Sequence, residues 1–283
     1  MLTAHKITEV VRMALAEDAP WGDITSASII PAEATATARL VAREPGVFSG
    51  GDVFAATFMT LDPTLAVDVT VADGSSFVAG DTLATVSGNA RSVLGAERVA
   101  LNLTQRMSGI ATLTARYVAL VAGTTARVVD TRKTTPGLRA LERHAVRSGG
   151  GHNHRFSLSD AVLAKDNHLA VLTAGGRSVT DVIREIRAQL SHTTHLEVEV
   201  DRLDQIEPVL AGGVDTIMLD NFTLPELEQG VALVAGRALI EASGNVNLDT
   251  IAAIAATGVD IISVGALTHS VRALDLGLDV DLA

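Results

Sequence analysis

Apolar positions recur along the chain with two different periods. Near the start, Ile7, Val10, Val11, Ala14 and Leu15 fall three and four residues apart, which predicts a surface helix and not a signal peptide. From 36 to 90 the reading is β. Val67, Val69 and Val71 alternate with Asp68 and Thr70, and turn pairs stand at Asp73-Gly74 and Gly80-Asp81. A helical period returns over 91–122, where Val99, Leu103, Met107, Ile110, Leu113 and Tyr117 mix three- and four-residue steps around a central Arg106. Beyond about 115 the pattern changes again. Short apolar runs at 127–130, 161–164, 196–200, 216–219, 238–240 and 261–264 alternate with amphipathic stretches at 179–190, 203–211, 224–234 and 248–256. Such alternation predicts parallel strands joined by right-handed helical crossovers. Six strands fall short of the roughly eight that close a barrel, so an incomplete α/β barrel is expected after a first layer of strands and helices.

Composition narrows the class. Of 283 residues 47% are hydrophobic and 19% charged, enough for a sizeable core and against disorder. No uninterrupted apolar run is long enough to span a membrane, and with no Cys there are no disulfides, thiol nucleophiles or Cys-based metal sites. A cytoplasmic protein is expected. A net charge of -11 argues against a nucleic-acid surface. The cations are nevertheless concentrated: 127–165 holds eight Lys or Arg against three acids, including two of the three lysines, Lys133 and Lys165. An acidic protein that gathers its cations in one segment is built to bind a small, multiply charged anion there.

The strand ends carry the candidate chemistry, because parallel α/β folds place their sites at the carboxyl edge. The first two ends offer cations. Arg132, Arg155 and Lys165, with His154, are suited to clamping carboxylates. Glu199 and Asp220 on neighbouring strands suit a hard divalent ion, since Mg2+ takes one or two carboxylates plus substrate phosphate oxygens. Ser243-Gly244-Asn245 and Ser263-Val264-Gly265 are small turns of the kind whose backbone N–H groups bind phosphate. The Gly-rich, cationic loop 149–155 is expected to fold over a bound anion as a lid. Glu197 and Glu199 share one side of their strand, which is either a solvated face or the barrel axis. His152 and His154 have the spacing of a metal pair, but without Cys or helical His spacing a zinc site is disfavoured.

In combination these segments are more specific than any one of them. Thr131-Arg132-Lys133-Thr134-Thr135-Pro136-Gly137-Leu138-Arg139, then Gly149-Gly150-Gly151-His152-Asn153-His154-Arg155 and Lys165-Asp166-Asn167-His168 closely resemble the quinolinate phosphoribosyltransferases, the carboxylating nicotinate-nucleotide pyrophosphorylase family. Glu197-Val198-Glu199-Val200, Leu219-Asp220-Asn221-Phe222, Glu241-Ala242-Ser243-Gly244-Asn245 and Ser263-Val264-Gly265-Ala266-Leu267-Thr268 continue the match in order. At the front, Glu17-Asp18, Gly22-Asp23-Ile24-Thr25 and 102–112 match too. The resemblance runs nearly end to end. Asn245 departs from it, since many relatives carry Gly there.

The resemblance implies an N-terminal α/β sandwich, 1–115, with the tail 269–283 packing back on it, and an open, incomplete α/β barrel at 116–268. It implies transfer from 5-phosphoribosyl-1-pyrophosphate to quinolinate with decarboxylation, giving nicotinate mononucleotide in NAD synthesis. Arg106 would come from the partner subunit of a homodimer or larger assembly. Arg132, His154, Arg155 and Lys165 would meet quinolinate, and Lys133 would work beside the reacting ribose. Glu199 and Asp220 would hold Mg2+, and the two turns would seat the 5-phosphate. The rivals are a nicotinate-using salvage enzyme, a paralogue of molybdenum-transport operons, a Schiff-base aldolase acting through Lys133 or Lys165, and a non-catalytic anion-binding scaffold.

Overall fold

The structure is a computed structural model and describes residues 2–282. The chain divides into two compact units. One comprises 2–115, 134–150 and 267–282, and the other 116–133 and 151–266.

The first unit is built on a four-stranded sheet whose order is Leu276–Leu282, Thr35–Ala42, Thr82–Asn89, Ala66–Val69, antiparallel throughout. The last strand of the chain therefore lies at one edge, with Leu278 opposite Leu40. Ala36, Ala38 and Leu40 are buried on the period of two, and Ala38 and Leu40 share a core with Phe48, Phe54, Phe58 and Leu83. The helix Ala4–Asp18 starts where the Thr3 hydroxyl accepts the Lys6 amide, and Ile24–Ile29 where Asp23 accepts that of Ser26. One expectation fails here. The stretch 36–90 is not all strand, because Gly51–Leu61 is a helix that buries Val53, Phe54, Thr57 and Phe58 at three- and four-residue spacing. Asp73 fixes its start by accepting the Gly50 and Gly51 amides at 3.0 Å.

The long helix Ala90–Leu120 carries the tail on one side: Leu274 donates its amide to the Gln105 carbonyl (3.0 Å), and Gln105 Nε2 donates to that of Leu276 (2.7 Å). Gly109 makes this approach possible, since a Cβ there would run into the Arg272 carbonyl. Gly109→Ala should therefore cost about 1–3 kcal/mol in urea unfolding. Gly95→Ala, in the same helix but facing only the end of the Leu61 side chain, should be neutral or gain up to about 1 kcal/mol.

The second unit is a six-stranded parallel sheet in the order Arg127–Val129, Ile261–Ser263, Leu239–Ser243, Thr216–Asp220, Leu196–Val200, Val162–Ala164. The two outermost strands, Arg127–Val129 and Val162–Ala164, do not pair with each other, which is the open α/β barrel expected from six strands. The helices Val179–Gln189, Ile206–Gly212, Leu224–Val234 and Ile251–Ala256 cross between strands. The last begins later than the pattern predicts, because the Asn247 side chain accepts the Asp249 and Thr250 amides and holds a turn there.

Candidate active site

Because the six strands are parallel, their carboxyl ends share one edge, and a cavity of about 480 Å³ opens there. Arg132, Lys133, His154, Arg155, Lys165, Glu199, Asp220, Ser243, Gly244, Asn245 and Ser263 all line it. Val264 does not: it is fully buried and donates its amide to the Val129 carbonyl (2.9 Å), and Gly265 follows it away from the lining. A neighbouring cavity of about 800 Å³, bordered by Asp166, Asp201 and Asp204, shares Glu199, Asp220 and Asn221 with the first.

Arg106 belongs to the other unit and is held locally. Its Nε donates to Glu142 at 2.8 Å, and Nη2 reaches Glu142 (2.5 Å), the Thr135 hydroxyl (2.7 Å) and the Thr268 carbonyl (2.9 Å). These bonds use Nε and Nη2 and leave Nη1 outside the network.

The floor of the cavity was not foreseen. Glu197 and Glu241 stand on strands separated by Thr216–Asp220, and both are nearly fully buried, so their side of the sheet is the barrel axis. Between them sits His154, whose Nε2 lies 3.1 Å from Glu197 and 3.5 Å from Glu241. In the neutral ring Nδ1 accepts the Arg155 amide at 2.7 Å and the proton stands on Nε2, facing the glutamates. Burial alone would push the imidazole down. The hydrogen bonds and charges of Glu197 and Glu241 outweigh it and push His154 up to about 10. Burial also pushes the Glu197 carboxyl up. The two glutamates thus hold a proton on the imidazole that it would lose in water. Oε1 of each glutamate is buried without a hydrogen bond from the protein.

The Gly-rich segment is not the lid expected from its composition. His152 donates its amide to the Val128 carbonyl (2.8 Å), and its own carbonyl accepts from Asp130. Buried Asp130 accepts the His154 amide (2.8 Å) and Asn153 Nδ2 (2.6 Å). These bonds tie 152–154 to the first strand and seat His154 under the pocket. Arg155 donates to the Ala161 carbonyl at 2.9 Å, and burial, followed by the neighbouring Arg132, lowers its pKa. Lys165 pairs with Glu199. Among the described residues, only His154, Glu197 and Glu241 gather three potential ligand atoms at metal-binding distances. Glu199 and Asp220, on adjacent strands and facing the same cavity, supply the two carboxylates that Mg2+ needs when substrate oxygens complete its shell, so the donor set fits that ion.

Residues 23–108 match the family model of the quinolinate phosphoribosyl transferase N-terminal domain, and 110–279 that of its C-terminal domain. The chain belongs to the quinolinate phosphoribosyltransferase family. It is 46% identical over 281 residues to the nicotinate-nucleotide pyrophosphorylase (carboxylating) of Mycobacterium leprae, covering 96% of each chain. It is similar to the crystal structure of NadC from Streptococcus pyogenes with a TM-score of 0.94 at 40% identity, covering 100% of this chain and 99% of that one. It is also similar to the nicotinate-nucleotide pyrophosphorylase of Francisella tularensis, with a TM-score of 0.92, 36% identity, and 99% and 98% coverage.

Five lining residues are absent from the expected site: Thr131, Leu163, Met218, Asn221 and Glu241. Glu241 is a lone acid inside an apolar strand, which is the signal that could have flagged it. Asn221 follows an aspartate at a strand end and has a left-handed backbone (φ 60), which only the fold reveals.

Proposed function

We propose that the protein transfers the phosphoribosyl group of 5-phosphoribosyl-1-pyrophosphate to quinolinate with loss of CO2, giving nicotinate mononucleotide and pyrophosphate for de novo NAD biosynthesis. One observation carries the reading: Arg132, Lys133, Arg155 and Lys165 converge on a cavity that also holds Glu199, Asp220 and the Ser243-Gly244-Asn245 turn. A dicarboxylate needs the first group, and a phosphorylated ribose with a pyrophosphate leaving group needs the second.

Arg132, Arg155 and Lys165 bind the two carboxylates of quinolinate, with Arg106 supplied by the partner subunit of a homodimer or larger assembly. His154 supports them from below, since its ring nitrogens are already bonded to the two buried glutamates and to Arg155. The Ser243-Gly244-Asn245 turn seats the 5-phosphate through backbone N–H groups, with Ser263 facing the same cavity and the Val264 amide already taken by Val129. Lys133 meets ribose or phosphate oxygens. Glu199 and Asp220 hold Mg2+, which when bound neutralises charge on the leaving pyrophosphate.

The pyridine nitrogen forms its bond to the anomeric carbon as the bond to pyrophosphate breaks. Glu199 and Asp220 favour the positive charge that develops on the ribose. The cationic ring then takes up the electron pair released when the 2-carboxylate leaves as CO2, and a proton replaces it. No protein nucleophile is required, so positioning and electrostatics supply the catalysis. The proposed place of work is the cytoplasm; among the described residues no helix is long and apolar enough to cross a membrane.

The test supplies Mg2+ and 5-phosphoribosyl-1-pyrophosphate with quinolinate or nicotinate in parallel, following nicotinate mononucleotide and CO2. Product from quinolinate alone, abolished by EDTA, is the expected result. Product from nicotinate alone makes the protein a salvage enzyme. Product from neither overturns the reading, and a lysine trapped by borohydride with a carbonyl substrate would replace it with an aldolase.

A further inference from the structure

Among the described residues, three other than glycine have positive φ, and two of them meet at the active site: Asn221 (φ 60) and Asn245 (φ 52). Asn245 Nδ2 donates to Asn221 Oδ1 at 3.2 Å, and Asn221 Nδ2 donates to Asp220 Oδ2 at 2.7 Å. The direction is forced, because a carboxylate only accepts: the atom of Asn221 facing Asp220 is its NH2, so the one facing Asn245 is its carbonyl. The backbone makes the same connection, with the Asn221 amide donating to the Ser243 carbonyl at 2.9 Å. Gly244 lies against the Asn221 carboxamide so closely that a Cβ on it would collide.

Left-handed backbone costs a non-glycine residue about 1 kcal/mol or more, and Gly would avoid that cost at both positions. Two asparagines that stand there with their side chains joined end to end point to a use for the side chains. We propose that Asn245 and Asn221 form a relay that locks the 243–245 turn to the Asp220 carboxylate, making both positioning residues for 5-phosphoribosyl-1-pyrophosphate. The inference rests on the proposed function, in which that turn takes the 5-phosphate and Asp220 works beside the anomeric carbon. The two lie on paired strands, with Ser243 in register with Asp220. The relay fixes the span between them before the substrate arrives, so that less ordering is required on binding. It engages Oδ2 of Asp220 and leaves Oδ1 to the substrate side of the carboxylate's work.

The test uses the full-length protein and the variants Asn245→Gly, Asn221→Gly, their double, and Asn245→Asp. Binding of 5-phosphoribosyl-1-pyrophosphate is read by calorimetry without quinolinate, with and without Mg2+, beside steady-state kinetics. Asn245→Gly should weaken binding about 3- to 10-fold and raise KM for that substrate in step, with KM for quinolinate unmoved. Asn221→Gly should weaken it about 10-fold or more, and the double variant should be no worse than Asn221→Gly alone. Asn245→Asp keeps the turn but offers a carboxylate to the Asn221 carbonyl, and should bind no better than Asn245→Gly. Both glycine variants should melt at or above the wild-type temperature, which separates the effect from loss of fold. Unchanged affinity in Asn245→Gly, or losses that multiply in the double variant, overturns the relay while the proposed function stands. A wild-type protein that binds no 5-phosphoribosyl-1-pyrophosphate overturns both.

Discussion

Subunits carrying Arg106→Ala, mixed with subunits carrying Lys133→Ala, are expected to regain about a quarter of wild-type activity, although each variant alone is inactive. In a dimer with shared sites, random exchange makes about half the molecules mixed, and each of these holds one intact site of two. The interpretation turns on what Arg106 does at home. Glu142 is 1% exposed and Arg106 is the cation bonded to it, so Arg106→Ala strands a buried carboxylate. Removing one partner of a buried pair costs about 3–5 kcal/mol, enough to abolish activity by unfolding alone. Adding Glu142→Gln to Arg106→Ala should restore most of that stability, read as melting temperature, without restoring activity. With the fold secured in this way, recovery on mixing assigns Arg106 to the partner's pocket. Absence of recovery after verified subunit exchange removes the shared site and leaves Arg106 a structural residue. A role in the partner's pocket would fall to Nη1, since local bonds hold Nε and Nη2.

The sequence reveals most where chemistry and period coincide. Each parallel strand announces itself as a short apolar run, and the residues just after it must lie at the carboxyl edge. That logic gathered Arg132, Lys133, Lys165, Glu199, Asp220 and Ser243 from segments more than a hundred residues apart at the extremes, and one cavity holds them all. It fails where a role depends on which strands are neighbours. Glu197 looks equally like a solvated acid until the sheet curves its side inward, and its relation to Glu241 exists only through His154. Arg106 and Glu142 are on separate helices, with nothing local to pair them. The helix Gly51–Leu61 was hidden for another reason: it sits among true strands and is announced by two glycines. The Gly-rich loop misled by composition. Its flexibility in isolation is overridden by Asp130, whose carboxylate holds both Asn153 and His154.

Between pH 7 and 10 the wild-type protein is expected to lose on the order of 3 kcal/mol of stability that His154→Gln does not lose, roughly 5–10 °C in melting temperature. The sign follows from the direction of the shift. His154 is held up to about 10 in the folded protein, against about 6.5 in an unfolded chain. Its contribution is therefore complete below about 6.5 and disappears as the pH rises through about 10. Glu197, pushed up by burial, acts in the same direction. His154→Gln should be less stable than wild type at neutral pH, because two buried carboxylates lose their cationic partner. Its melting temperature should nonetheless depend less on pH over that range, so the slopes and not the absolute values carry the test. Parallel slopes would mean that the two glutamates do not raise the pKa of His154. A steeper wild-type slope would show that Glu197 and Glu241 hold a proton on His154 at the wall of the cavity.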